Sequence, residues 1–175
     1  SALHKSVRSS NPDAALYWLA KMIYAGEDPK FIARRIVICA AEDVGNADPH
    51  ALMLANAAMQ IAEFVGLPEA RIPLAQATVY IACAPKSNAA YMGIEAALKD
   101  VANEETEEVP EHLKNAVYDG EKKAGKGAGY KYAHSFEGGI VAQDYKRTDK
   151  IYYEPKDIGV EARIKTRLEE IRKQM

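Results

Sequence analysis

Apolar residues recur at helical spacing through the first hundred residues of this chain. The stripes are Leu16, Leu19 and Ile23; Ile32, Ile36, Cys39 and Ala40; and Leu52, Met59 and Phe64. In each stripe, the residues fall on one side of a helix with 3.6 residues per turn. Alanine is frequent between them, which allows helix axes to approach closely. The pattern predicts an all-α bundle of five helices with short connections.

Start and stop signals divide this region into its helices. The predicted N-cap residues are Asn11, Asp28, Asp48 and Ser87. The first three each precede a proline, which is favoured at the first position of a helix. Pro73 marks a break in the fourth helix or its true start, and Gly45 and Gly66 are predicted C-terminal stops. The segments share no residues at a fixed period, so no repeat protein is predicted.

After residue 100 the pattern changes. An acidic linker leads to a short predicted helix from Pro110, and a glycine-rich loop follows. Residues 139–155 carry β-branched and aromatic side chains, which predict a hairpin or extended arms. An amphipathic C-terminal helix is predicted from Val160, Ile164, Leu168, Ile171 and Met175. We therefore expect a helical bundle over 1–100, and over 101–175 an irregular arm and a final helix packed on it as one domain.

Composition limits the classes of function. The chain has 175 residues, 48% of them apolar, and a net charge of −2, so no overall field attracts it to nucleic acid or an anionic membrane. No apolar run is long enough to span a bilayer. Cys39 and Cys83 lie in apolar helical sequence and are predicted to be reduced core thiols of a cytosolic protein. No histidine pair has metal-ligand spacing, so no metal site is expected.

The segment GEKKAGKG, residues 120–127, has a spacing close to that of a phosphate-binding loop. Such a loop needs a buried strand before it, a helix after it, and Ser or Thr after the lysine. Here Lys126 is followed by Gly127, and the preceding sequence is charged. The remaining interpretations are a flexible lysine-rich loop or a loop that contacts a polyanion through Lys122, Lys123, Lys126 and Lys131.

Tyrosines and basic residues alternate in the second half of the chain. Single-stranded nucleic acid is bound by aromatic rings beside a positive groove. The candidate DNA contacts are Lys131, Tyr130, Tyr132, Lys146 and Arg147. The alternative is structural, with each ring covering the core and its hydroxyl reaching water.

Two carboxylates, Glu42 and Asp43, lie at a predicted helix C-terminus, where the helix dipole disfavours negative charge. We predict structural ion pairs among Arg34, Arg35, Glu42 and Asp43. The alternative is an enzyme that uses the carboxylates with a nearby histidine.

Three residues of the first predicted helix, Trp18, Tyr17 and Met22, are candidates for an oligomer interface. Burial of Trp18 in the core is the alternative interpretation. Lys5 and Arg8 form either a solvated face or a small basic contact point.

Several long motifs, among them EDPKFIARRIVICAAEDVGNADPHAL and GYKYAHSFEGGIVAQDY, carry a family resemblance. From about His4 to Leu168 the chain resembles the C-terminal region of the RarA or MgsA family, replication-associated recombination protein A. These are bacterial AAA+ ATPases with eukaryotic relatives that interact with the Werner helicase. Ser9 stands where glycine is usual in the family, and Ala41 where serine is usual.

The resemblance implies a helical domain like the clamp-loader collar, which joins subunits into tetramers. It also implies that the ATPase module, with its ATP and Mg²⁺, lies N-terminal to this region, so no catalytic or cofactor-binding residue is expected here. The family acts in DNA replication, recombination and repair at stalled forks, in the cytoplasm and at the nucleoid. Implied partners are further copies of the chain, DNA, single-strand-binding protein and other replication proteins, and no membrane.

Two functional hypotheses follow. The first is an oligomerisation region of an AAA+ ATPase. The second is a single-stranded DNA-binding module that uses the tyrosine- and lysine-rich loops.

Overall fold

The computed structural model describes residues 1–103, 108–146 and 148–175. Within these ranges it contains eight α-helices and no strand, so the all-α prediction is confirmed. The helices are α1 (Ala2–Arg8), α2 (Pro12–Tyr24), α3 (Pro29–Cys39), α4 (His50–Val65), α5 (Arg71–Cys83), α6 (Ala89–Asn103), α7 (Asp119–Lys123) and α8 (Glu161–Gln174). None of the described helices is long and apolar enough to cross a membrane.

The chain divides into two compact units. The helical unit comprises Ser1–Glu95 and Tyr153–Lys165, and the second unit comprises Ala96–Tyr152 and Thr166–Met175. Residues 153–165 belong to the helical unit in this division, and the domain boundary predicted at residue 100 stays a prediction. Pairing across a long chain separation of this kind leaves no signal in local composition.

The predicted caps of the first helices form as hydrogen bonds. The side chain of Asn11 accepts from the backbone N–H of Ala14 at 3.0 Å, and Asp28 accepts from that of Lys30 at 3.0 Å. Asp48 accepts from the N–H of His50 at 3.1 Å, and α4 begins at His50 rather than at the predicted Pro49. These bonds satisfy N–H groups that have no partner inside the helix.

The later boundaries also follow local chemistry. The Ser87 hydroxyl accepts from the N–H of Ala89, the first residue of α6. Pro73 lies in the first turn of α5, where a missing N–H breaks no helical bond. A π-helical turn, Ala40–Val44, extends α3, and Gly45 with a φ of +51° ends it.

Helices α1 to α5 surround one core. Its largest fully buried apolar side chains include Ile32, Leu74, Ile81, Val7 and Val44. The predicted stripe of α3 is confirmed, because all four of its residues are buried. In α2, Leu19 of the predicted stripe is buried, while Leu16 and Ile23 are half-buried.

The predicted inner face of α4 is wrong. Leu52 and Phe64 are exposed, and Met59 is half-buried. The buried positions are instead Ala51, Ala55, Ala58 and Ala62. Because α4 packs against α3 and α5, methyl side chains at the contact let the helix axes approach closely.

The segment 153–165 is fixed to the helical unit by backbone contacts. The N–H of Val160 donates to the carbonyl of Ala47 at 2.8 Å. A Cβ at Gly159, whose φ is +55°, would lie 2.3 Å from that same oxygen. Tyr153 donates to Glu161 Oε1 at 2.9 Å, and burial raises the pKa of Tyr153. Glu161 is fully buried, and its Oε2 has no hydrogen-bond partner in the described chain.

The second unit is irregular, and of the hairpin or extended arms predicted over 139–155 the described residues contain no paired strands. The Gln143 side chain accepts from the N–H of Lys131 at 3.1 Å and donates to its carbonyl at 3.0 Å. One amide side chain thus makes the paired bonds that a strand partner would make. The predicted helix from Pro110 is a single 3₁₀ turn, Glu111–Leu113.

The C-terminal helix is present as α8 and begins one residue after Val160. Its predicted apolar positions Ile164, Leu168 and Ile171 are half-buried, whereas Val160 and Met175 are exposed.

Candidate functional site

An ion network joins α1 to the π-helical turn. Arg8 Nε donates to Asp43 Oδ1 at 2.6 Å, and Arg8 Nη2 donates to Glu42 Oε1 at 2.9 Å. The bond to Asp43 raises the pKa of Arg8 above its usual value. Asp43 is buried, so the guanidinium compensates a charge that would otherwise be costly in the core.

His4 extends the network to α3. Its Nε2 lies 2.7 Å from Asp43 Oδ2, and its Nδ1 lies 3.0 Å from Arg35 Nη2. Arginine can only donate and an ionised carboxylate can only accept. A hydrogen on Nε2 and a lone pair on Nδ1 match these two contacts, and Arg8 Nη2 also lies 3.1 Å from Nε2.

The network differs from the ion pairs expected from the sequence. Glu42 and Asp43 pair with Arg8, while Arg35 joins through His4 rather than directly. Arg34 is exposed and lines a groove of about 200 Å³ between α3 and α4. Arg8 was missed because 35 positions separate it from Asp43, and no local pattern links residues so far apart.

The same cluster contains a possible metal-ligand set. Donor atoms of His4, Cys39 and Asp43 all lie within 4.8 Å of one another. Zinc needs a deprotonated thiolate and free histidine nitrogens. Here burial raises the pKa of Cys39 to about 12, and Arg35 and Asp43 already contact the two histidine nitrogens. The geometry therefore favours a hydrogen-bonded network over a metal centre.

A cleft of about 430 Å³ opens beside this network in the helical unit. Its lining residues are Arg8, Glu42, Asp43, Lys86, Ser87, Asn88, Tyr91 and Lys156. The Lys86 ammonium donates to the carbonyls of Ala82 and Ala84 at 2.9 and 2.6 Å, and burial lowers its pKa. The Lys156 ammonium donates to Asn88 Oδ1 at 2.7 Å.

This cleft bears on the enzyme alternative. A cleft does border Glu42 and Asp43, as a catalytic pair would need. Both carboxylates, however, accept hydrogen bonds from Arg8, so these oxygens are already engaged within the protein. The remaining charged groups of the cleft are the two lysines. The arrangement is therefore suited to holding an anion rather than to removing a proton.

The candidate DNA contacts lie in the second unit. Tyr130 and Tyr132 are exposed, and the Tyr132 ring lies 5.1 Å from that of His134. The Lys131 ammonium donates to the carbonyl of Ala142 at 3.0 Å. Lys146 donates to the carbonyl of Thr148 and lies 5.9 Å from the Tyr152 ring. Arg147 lies outside the described residues.

The glycine-rich segment begins with α7, and in the described chain no strand precedes it. Lys126 donates to Glu121 Oε1 at 2.7 Å, and this bond is the largest cause of the lowered pKa of Glu121. The other oxygen of Glu121 accepts from the N–H of Val117 at 2.9 Å. Lys122 and Lys123 are exposed. A carboxylate thus takes both the lysine and a backbone N–H that a phosphate would need.

The three candidate interface residues of α2 are partly covered. Trp18 and Met22 are half-buried, and Tyr17 is exposed with its ring edge-on to Trp18 at 5.1 Å. The Lys21 ammonium lies 5.4 Å from the Trp18 ring. The indole is therefore shielded on one side by its own helix.

A larger apolar surface lies on α4 and was not found from the sequence. The outer face of α4 comprises Met53, Ala57, Ile61 and Phe64, which are all exposed, Phe64 to 90%. Apart from Glu63 and His50, this 16-residue helix has no ionisable side chain. The repeat of four, four and three residues was visible in the sequence, but the larger side chains were assigned to the core.

The second cysteine also departs from expectation. Cys83, the last residue of α5, is exposed, whereas Cys39 is buried as predicted. The C-terminal turn of α5 leaves the core at this point, which hydropathy alone does not reveal.

Comparisons with known proteins define the class. A family model described as "MgsA AAA+ ATPase C terminal" matches residues 9–172. Replication-associated recombination protein A of Coxiella burnetii is 48% identical over 177 residues, with 99% of this chain and 40% of that protein covered. The protein of the same name from Escherichia coli K12 is 47% identical over 172 residues, covering 96% and 38%. ATPase WRNIP1 of Dictyostelium discoideum is 44% identical over 137 residues, covering 78% and 16%.

The chain is thus an all-α region associated with AAA+ ATPases. It belongs to the RarA/MgsA family and corresponds to the C-terminal domain of those proteins. The resemblance seen in the sequence motifs is confirmed. The chain spans about two-fifths of the length of the two bacterial relatives named above.

Proposed function

We propose that this chain is the region that joins copies of an AAA+ ATPase acting in replication-associated recombination. The oligomer is a tetramer, as expected of a collar-like domain. ATP and Mg²⁺ bind in the ATPase module of the whole protein. The names of the matched relatives support the replication and recombination context. A location in the cytoplasm at the nucleoid, with DNA and single-strand-binding protein as partners, belongs to the same proposal.

The observation that carries this proposal is the burial pattern of α4, whose alanines face the core while larger apolar side chains are exposed. Large apolar side chains on a helix of a globular protein normally face the core. In α4 the inner face is covered by α3 and α5, while Met53, Ile61 and Phe64 remain in water. Contiguous exposed apolar surface of this kind is typical of a protein interface. A second copy of the chain is the occupant that a subunit-joining domain requires.

Light scattering on the chain at tens of micromolar tests the proposal, and a tetramer is expected. Phe64→Glu should weaken the assembly by at least about tenfold, since it puts a charge into the apolar contact. Tyr24→Glu is the matched control, because Tyr24 is 94% exposed at the end of α2 and Phe64 is 90% exposed. Neither substitution removes a core contact, so both variants should fold.

The alternative outcomes separate the candidate interfaces. If Tyr17→Glu dissociates the oligomer and Phe64→Glu does not, the interface lies on α2, as the sequence suggested. If the chain is a monomer at these concentrations, the oligomerisation proposal is wrong. The outer face of α4 would then be available to the ATPase module of the same protein.

We keep a second candidate function, binding of single-stranded DNA by the second unit. The exposed rings of Tyr130 and Tyr132 beside Lys131 support it, since bases stack on exposed aromatic side chains. Anisotropy with a labelled oligothymidine tests it. Lys131→Glu with Lys146→Glu should weaken binding and its salt dependence. Unchanged binding would remove this candidate.

A further inference from the structure

The cleft beside the ion network gathers cationic side chains from three separate parts of the helical unit. Arg8 comes from α1, Lys86 from the connection between α5 and α6, and Lys156 from the segment 153–165. Glu42 and Asp43 are the anionic side chains of the lining, and both are bonded to Arg8. The lining therefore keeps an excess of positive charge.

Lys86 and Lys156 supply this excess. In the described part of the chain, Lys86 donates only to backbone carbonyls and Lys156 only to the Asn88 amide oxygen. Neither has a carboxylate partner among these contacts. Lys86 is half-buried, and partial desolvation of its ammonium is costly although the charge of Asp43 acts on it favourably. The lowered pKa of Lys86, caused first by burial, agrees with this.

We propose that this cleft is a binding site for a phosphate group. A phosphate offers several acceptor oxygens, and the lining supplies donors of the matching kind from two lysines and from the hydroxyl and amide groups of Ser87, Asn88 and Tyr91. The cleft also lies beside the first turn of α6, where the helix dipole favours negative charge. Its volume of about 430 Å³ admits a phosphate ester and not only a bare ion.

The phosphate can come from two sources, a small phosphate compound or the backbone of a nucleic acid. Both present the same oxygens, and the experiment distinguishes them. The site is independent of the proposed oligomer interface on α4 and of the tyrosine-rich second unit, because none of their residues lines the cleft.

The first arm of the test uses inorganic phosphate. The thermal midpoint of the chain is measured in 50 mM phosphate and in chloride of equal ionic strength, since a ligand that binds only the folded state raises it. Lys156→Gln should lose most of the phosphate-specific rise. Lys5→Gln is the control, because Lys5 is an exposed lysine of α1 outside the cleft. General stabilisation by phosphate salts affects both variants equally.

The second arm uses a labelled 20-nucleotide oligothymidine. Lys156→Glu should weaken binding about tenfold and lower the slope of log K against log salt by about 0.7, the value for one lost contact on a single strand. Lys5→Glu should change affinity less than about twofold. Lys131→Glu serves as a comparison from the second unit.

The outcomes are distinct. If substitutions of Lys156 have a larger effect than those of Lys5 in both arms, the site binds nucleic-acid phosphates. If they do so in the phosphate arm alone, the site binds a small phosphate compound. If Lys156 and Lys5 variants behave alike in both arms, the proposal is overturned. That result would leave the α4 interface untouched, because subunit counting tests it separately.

Discussion

Helices α3 and α4 are neighbours in the chain and in the core, yet they use their large side chains in opposite ways. In α3 the buried positions include Ile32 and Ile36. In α4 the buried positions are all alanine, while Met53, Ile61 and Phe64 are exposed and Leu54 and Met59 are only half-buried against the core. The difference shows that burial depends on the space available between helices and not on hydropathy alone. The exposed side chains of α4 are the reason why the oligomer interface is proposed there.

The largest expected effect separates the two isoleucines of these helices. Ile32→Ala should lower the free energy of unfolding by about 2–5 kcal/mol, because it leaves a cavity in the core. Ile61→Ala should change it by less than about 1 kcal/mol, because Ile61 is 48% exposed and alanine favours helix. Urea titration measures both, at a protein concentration low enough to avoid assembly. Equal losses would contradict the assignment of Ile61 to the outer face.

The alanines of α4 give the next effect. Ala58→Leu should destabilise the fold by about 1–3 kcal/mol, because the buried contact with neighbouring helices has no room for a larger side chain. Ala57→Leu is the matched control at the next position, which is exposed, and should change stability by less than about 0.5 kcal/mol. Thermal and urea unfolding check the pair. A neutral Ala58→Leu would mean that α4 is packed more loosely than described.

The caps of the two helices give a smaller effect. Asp28→Ala should cost about 1 kcal/mol, since it removes one hydrogen bond to the start of α3. Asp48→Ala should cost more, because Asp48 also accepts from the Tyr80 hydroxyl at 2.7 Å, a bond that raises the pKa of Tyr80. Replacing each aspartate by asparagine instead of alanine should retain most of the stability that the alanine variants lose. An equal cost at both positions would show that the Tyr80 bond contributes little.

The smallest effect concerns reactivity rather than stability. Burial raises the pKa of Cys39 on α3 to about 12. The reactive thiolate is therefore a very small fraction of Cys39 at pH 8, and this fraction increases only as the pH approaches that pKa. Cys83 is exposed and should react with iodoacetamide at pH 8 in minutes to hours, while Cys39 reacts only after unfolding. Mass spectrometry of the labelled peptides distinguishes them. Rapid labelling of Cys39 in the native protein would contradict the burial of α3.

The features predicted correctly from the sequence are those that depend on residues close together in the chain. The caps at Asn11 and Asp28 need only a side chain and the next few backbone groups, and both form. The stripe of α3 was also predicted, because its apolar residues follow the period of a helix. For the same reasons the boundaries of α2 and α3 match the sequence closely.

Helix packing and contacts between residues far apart in the chain were not predicted. The inner face of α4 was misassigned because hydropathy ranks leucine and phenylalanine above alanine, while close helix packing favours the smaller side chain. The pairing of Arg8 with Asp43 and the place of Lys156 in the cleft join distant parts of the chain. Neither leaves a local pattern. The candidate phosphate site therefore became visible only in three dimensions.

The docking of Gly159 and Val160 against Ala47 has a practical consequence for dissecting the protein. Truncation before residue 153 would be intended to remove only an irregular tail. It would also remove Lys156 and the hydrogen bond that Val160 donates to the Ala47 carbonyl. A deletion variant truncated there would have a destabilised helical bundle, and the lost stability would be wrongly attributed to the tyrosine-rich segment. Boundaries drawn after α8 avoid that confusion.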